Sequence, residues 1–161
     1  MKKIFVVLLL SLLSVQQMSA QKWLKVLGEV ASAVLSDDNA SVQTKAIPNC
    51  IVKFTACEAN GNDVTISFTV ENQTGKELEL MFSTNNDAWD NLGENHKATV
   101  YIGNQEIAGY PMKMPSEVPV KCRIEMGEVD TSATSIKSCS IKGTIAGKSF
   151  VMKLPVMAIS R

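Results

Sequence analysis

From residue 50 onward, apolar and polar positions alternate with a period of two, the mark of half-buried strands. Val52, Phe54 and Ala56 alternate with Ile51, Lys53 and Thr55. Val64, Ile66, Phe68 and Val70 are separated by Thr65, Ser67 and Thr69, the cleanest alternation in the chain. Asn60-Gly61 lies between these two runs and predicts a hairpin. The stretch NQTGK at 72–76 predicts the next turn, and Leu78, Leu80 and Phe82 a third strand. Val100 and Ile102 mark a fourth strand, and Val118, Val120, Cys122, Ile124 and Met126 a fifth. Residues 136–143 give a sixth. Ala146-Gly147-Lys148 turns it into a seventh, with Phe150, Met152, Leu154 and Val156 on one face. Seven short strands and no helix among them predict an all-β fold, an antiparallel two-sheet sandwich over residues 49–160. One-sided alternation in nearly every strand predicts that each sheet keeps one wet face.

The first fifty residues follow other rules. Met1-Lys2-Lys3 is a short cationic start, Ile4 to Leu13 is apolar apart from Ser11, and Met18-Ser19-Ala20 closes the stretch with small residues. This is the layout of a signal peptide over residues 1–20, cleaved after Ala20. The apolar run is too short for a membrane span, which needs about 20 residues. Export to the periplasm or beyond is therefore expected. Residues 21–36 switch to a 3.6-residue period, with Trp23, Leu27, Val30 and Val34 on a broad apolar face opposite Lys22, Lys25 and Glu29. A helix of that length is marginal alone in water and must bury its face. Its own domain, a second copy of the chain, and a membrane or partner surface are the three candidate covers. Residues 37–48 carry no hydrophobic period and read as a linker, with Pro48 biasing Ile47 toward extended backbone.

The segments QKWLKVLGEVASAVL, GNDVTISFTVENQTGKELEL, AWDNLGENHKATVYIGN and VPVKCRIEMGEVDTSATSIKSCSIKG together resemble the small secreted immunoglobulin-like proteins of Bacteroidetes, a group with a domain of unknown function. The resemblance implies an immunoglobulin-like sandwich and an extracytoplasmic home. It implies no activity, because fold alone licenses none.

Charge and composition narrow the functional classes. Lys plus Arg and Asp plus Glu both number 16, so there is no basic surplus for nucleic acid. A single histidine, His96, removes most imidazole-based catalytic and metal constellations. No cofactor is implied.

The four cysteines, Cys50, Cys57, Cys122 and Cys139, allow three full pairings. Cys50 and Cys57 fall on one predicted strand, about 23 Å apart at the rise of a strand, whereas a disulfide needs Cα atoms within about 7 Å. Cys122 and Cys139 both alternate with core residues. A single Cys122–Cys139 bridge is the leading expectation, with two bridges or buried free thiols as alternatives. The spacings lack the close pairs of structural zinc sites.

Residues 85–96, NNDAWDNLGENH, hold three carboxylates, several amides and a glycine. Hard cations use such oxygens, but the spacing is not that of an EF-hand. A turn in which Asp90 and Asn91 satisfy backbone amides is the simpler reading. Trp89, Asp90 and Tyr101 form a candidate partner surface, as do Tyr110, Met112 and Met114 in the proline-punctuated stretch 110–117. Lys113, Lys121, Arg123, Lys137 and Lys142 read as solubilising charges that blunt sheet edges. Together these readings predict a non-catalytic exported module. It would engage a protein or glycan partner through its loops or a sheet face, or assemble into a homo-oligomer through the N-terminal helix. The alternatives are a small inhibitor of a partner enzyme and a calcium-dependent binder.

Overall fold

The computed structural model describes residues 42–161. The expected signal peptide and the helix bearing Trp23, Leu27, Val30 and Val34 lie outside the described residues. Thirteen strands follow in order: β1 (Val42–Thr44), β2 (Cys50–Asn60), β3 (Asp63–Asn72), β4 (Leu78–Phe82), β5 (Asp87–Asp90), β6 (Asn95–Lys97), β7 (Thr99–Ile102), β8 (Gln105–Glu106), β9 (Met112–Met114), β10 (Val120–Met126), β11 (Ser135–Ile145), β12 (Lys148–Lys153) and β13 (Met157–Ala158).

They form two antiparallel sheets. One runs β1-β2-β3-β10-β7-β8, and the other β6-β5-β11-β4-β9. Strand β11 is the spine of the second sheet. It carries β4 and β5 along one edge, and β12 and β13 along the other. The inward faces share one core. Val64, Ile66, Phe68 and Val70 of β3 are all buried, as the alternation requires. Phe54 and Phe68 of the first sheet lie 5.7 Å apart between ring centroids, Phe68 meets Phe82 of the second sheet at 6.5 Å, and Phe82 meets Phe150 at 5.9 Å. Burying each such ring stabilises the fold by about 1.5–3 kcal/mol.

The tight turn between β2 and β3 is the hairpin that Asn60-Gly61 announces, and Gly61 takes φ +62°, open to glycine at no steric cost. Strand β2 departs from strict alternation. Its register against β3 shifts between Phe54 and Ala56, so Cys57 rather than Ala56 turns into the core. A bulge of this kind inserts one residue and resets the face of everything after it.

Six strands go beyond the seven that periodicity predicts, and two predicted ends shorten. Strand β1 lies inside the stretch read as a linker and pairs with Val52 to Phe54. Val118 and Val156 fall outside β10 and β12 and are exposed. The C-terminus joins the sheets: Ile159 N–H donates to Thr134 O, and Ser160 N–H donates to Cys57 O.

The expected Cys122–Cys139 disulfide does not form. All four cysteines are free, buried thiols. Cys122 belongs to β10 in one sheet and Cys139 to β11 in the other, each filling the core on its own side. Burial pushes the Cys50 thiol up to about 11 and the Cys122 thiol up to about 12. Burial, then the Cys57 thiol and the Asp87 carboxylate, push Cys139 up to about 12.

Candidate functional site

The chain crosses from the second sheet to the first at buried Ala98, between β6 and β7. Beside this crossing, β3 begins and β10 ends, with Glu125 paired to both Thr65 and Thr99. A cleft of about 720 Å³ opens here, lined by Asn60, Asp63, Thr65, Asn95, His96, Lys97, Thr99, Tyr101, Glu125 and Glu128 among others. Its wall is mostly polar. Asp63, Glu125 and Glu128 supply carboxylates, and Lys97 an ammonium.

One wall is braced by side chains on the outer face of the first sheet. The Arg123 guanidinium lies over the Tyr101 ring at 4.4 Å from its centroid, an attraction of charge to the ring's negative face. Arg123 also pairs with Glu125 and donates to Gly103 O. Burial, then the Glu125 and Glu106 carboxylates, push the Tyr101 phenol up against the opposing pull of Arg123. The hydroxyl therefore stays protonated at neutral pH and can donate.

The rim is held by Arg161. Its guanidinium donates to Gly61 O in the β2–β3 turn, and to Asp130 O and Ala133 O in the segment after β10. Val129 N–H donates to Asn62 O across the same gap. The C-terminal residue thus ties together two of the segments that frame the cleft.

The far wall rests on the β5–β6 hairpin, which holds a buried polar pair. His96 of β6 places Nε2 3.1 Å from Asp90 Oδ2 of β5, with the Asp90 side chain fully buried and that of His96 5% exposed. Asp90 Oδ1 accepts from the Leu92 and Glu94 N–H groups. Burial works to raise the Asp90 carboxyl, but those N–H groups and the His96 imidazole outweigh it and hold the group below the usual carboxylate range. Next to it, Asn91 Oδ1 accepts from the N–H groups of Thr134 and Ser135, fixing the hairpin to the start of β11.

No family model matches this chain, and no curated protein matches it. Among solved structures it is similar to the GAE domain of GGA2p from Saccharomyces cerevisiae, at 10% identity and a TM-score of 0.43, over 74% of this chain and 96% of that one. It is also similar to the CooA pilin subunit from enterotoxigenic Escherichia coli, at 12% identity and a TM-score of 0.34, over 76% of this chain and 96% of that one.

The residues singled out from sequence scatter. Tyr101 lines the cleft. Trp89 and Tyr110 are exposed, Tyr110 by 73%. Asp90 is buried within the β5–β6 hairpin, and Met114 is wholly buried, so neither presents a side chain to a partner. Met112 and Met114 sit on β9, paired with Leu80 and Leu78 of β4. Asp63, Glu125, Glu128 and Arg161 escape a sequence reading. Glu125 shares the outward period of Arg123, but only the strand pairing shows that Thr65, Thr99 and Glu125 stand in one row.

Proposed function

We propose that this chain is a non-catalytic, exported immunoglobulin-like binding module, and that it recognises a glycan in the cleft between β3, β6, β7 and β10. The observation that carries this reading is the lining itself: three carboxylates, two Asn side chains and the Tyr101 phenol converge on about 720 Å³. Carboxylate and amide oxygens accept from sugar hydroxyls, the phenol donates to them, and the site offers few apolar groups to a greasy ligand. The cationic, apolar, small-residue order of the first twenty residues supports export.

Asp63 and Glu128 are exposed cleft residues whose carboxylates can be neutralised without opening the core. Calorimetric titration with a panel of soluble oligosaccharides tests the reading. A ligand is expected to bind the native chain, and Asp63→Asn and Glu128→Gln are each expected to weaken it about tenfold, the worth of a hydrogen bond to a charged group. A bound oligosaccharide indifferent to both substitutions, or a panel without a ligand, contradicts the proposal.

A further inference from the structure

We propose that Asp90, Glu94 and His96 form a binding site for a divalent transition-metal ion of the zinc class. All three come from the β5–β6 hairpin, and one donor atom of each lies within 4.8 Å of the other two. The inference stands apart from the role of the cleft in glycan recognition.

Two of the three donors already stand at the spacing of a chelate. Backbone N–H groups occupy Asp90 Oδ1, which leaves Oδ2 directed at His96 Nε2, 3.1 Å away. Two donors about 2.0–2.1 Å from a tetrahedral zinc ion stand about 3.3 Å apart. The spacing therefore suits a shared ion as well as a hydrogen bond. Glu94 sits at the exposed tip of the hairpin and makes no ion pair among the described residues. Its carboxylate offers an oxygen within 4.8 Å of the Asp90 and His96 donor atoms.

A second observation concerns the other nitrogen of the ring. His96 is more than nine-tenths buried and lines the cleft. Nε2 faces Asp90, and Nδ1 has no protein partner among the described residues. No fully enclosed polar side-chain atom among the described residues lacks a partner, so Nδ1 is open to solvent. A metal at Nε2 selects the ring tautomer with its N–H on Nδ1, which can donate a hydrogen bond to solvent. The Asp90 carboxylate is pinned by its two N–H donors, as outer-shell bonds pin metal ligands elsewhere.

The donor set selects the ion. Calcium takes six to eight oxygens. One imidazole and two carboxylates suit an ion of the zinc class, with a fourth position left for water.

The test uses the purified, tag-free full chain, stripped with chelator and titrated with zinc sulfate by calorimetry and proton NMR. The chain has one histidine, so its imidazole signals need no assignment by mutation. Saturation at one equivalent, movement of the imidazole signals and a raised Tm are expected. Glu94→Gln changes only an exposed position and is expected to weaken zinc binding by about tenfold or more, with an unchanged fold by circular dichroism. His96→Gln is expected to abolish binding, and Glu94→Gln decides the matter if that variant does not fold. The proposal is overturned if zinc does not bind saturably, if the imidazole signals stay put at saturation, if Glu94→Gln binds as the native chain does, or if calcium binds equally well.

Discussion

Phe82 and Phe150 meet edge to face, with ring centroids 5.9 Å apart and planes at 88°, on opposite sides of Gly143. Gly143 pairs with Phe82 of β4 on one edge of β11 and with Phe150 of β12 on the other. A Cβ at this position would lie 2.7 Å from Phe150 Cζ and closer still to the Met81 carbonyl oxygen. The absent side chain is what lets the two rings close over the strand.

Gly143→Ala is therefore expected to destabilise the fold by about 1–3 kcal/mol, the range for overpacking a filled core. Urea unfolding checks this. The midpoint should fall while the slope stays constant, since the surface exposed on unfolding is unchanged. A variant as stable as the native chain would mean that the rings do not meet across Gly143.

The Asp90–His96 pair makes a second prediction. Asp90→Ala leaves the buried imidazole, and the N–H groups of Leu92 and Glu94, without their acceptor. Removing one partner of such a pair costs about 3–5 kcal/mol. Asp87→Asn, at an exposed position of the same strand, should stay within about 0.5 kcal/mol of the native chain. Thermal unfolding in chelator compares the two.

Strand β3 was legible in the sequence from Val64 to Glu71, because its inward residues there are apolar and its outward ones polar. Strand β5 was not. Asp90 is an inward residue that is a carboxylate, and its partner His96 is the only sign of why. Read along the chain, residues 85–96 look like a polar turn. The bulge in β2 also left no mark, because Ala56 and Cys57 are both small enough for either face. The cleft is harder still. Its carboxylates come from the starts and ends of strands far apart in sequence, each at a position that alone reads as solvated surface. Cys122 and Cys139 were correctly read as inward, but facing the core does not bring them together.

Asn72 bears on the loop at the opposite end of β3. It is wholly buried. Its Nδ2 donates to Lys76 O and Met114 O, and its Oδ1 accepts from the N–H and hydroxyl of Thr74. Asn72→Ala strands these groups and should cost about 1–3 kcal/mol. Hydrogen exchange at Thr74 should rise in the same variant, which separates loss of the turn from a general loss of stability.

The cysteines give a dependence on pH. Each thiol is raised in the folded chain, to about 11 for Cys50 and about 12 for Cys57, Cys122 and Cys139, chiefly by burial. The folded state thus holds protons that the unfolded chain releases near its ordinary thiol range. Their contribution to stability is whole below about pH 8.5 and is lost as pH rises through about 11 to 12. At pH 8, a thiol-reactive disulfide should label none of the four in the native chain and all four in denaturant. Rapid native labelling of any one would contradict its placement in the core.

Ligand recognition in the cleft where the two sheets meet can be read residue by residue from amide NMR during an oligosaccharide titration. Shifts should concentrate at Asp63, Thr65, Tyr101 and Glu125 on one side and at Asn95 to Lys97 on the other, the residues that line the same space. Shifts confined to residues 110–117, or to the N-terminal segment 21–36, would place recognition outside the cleft.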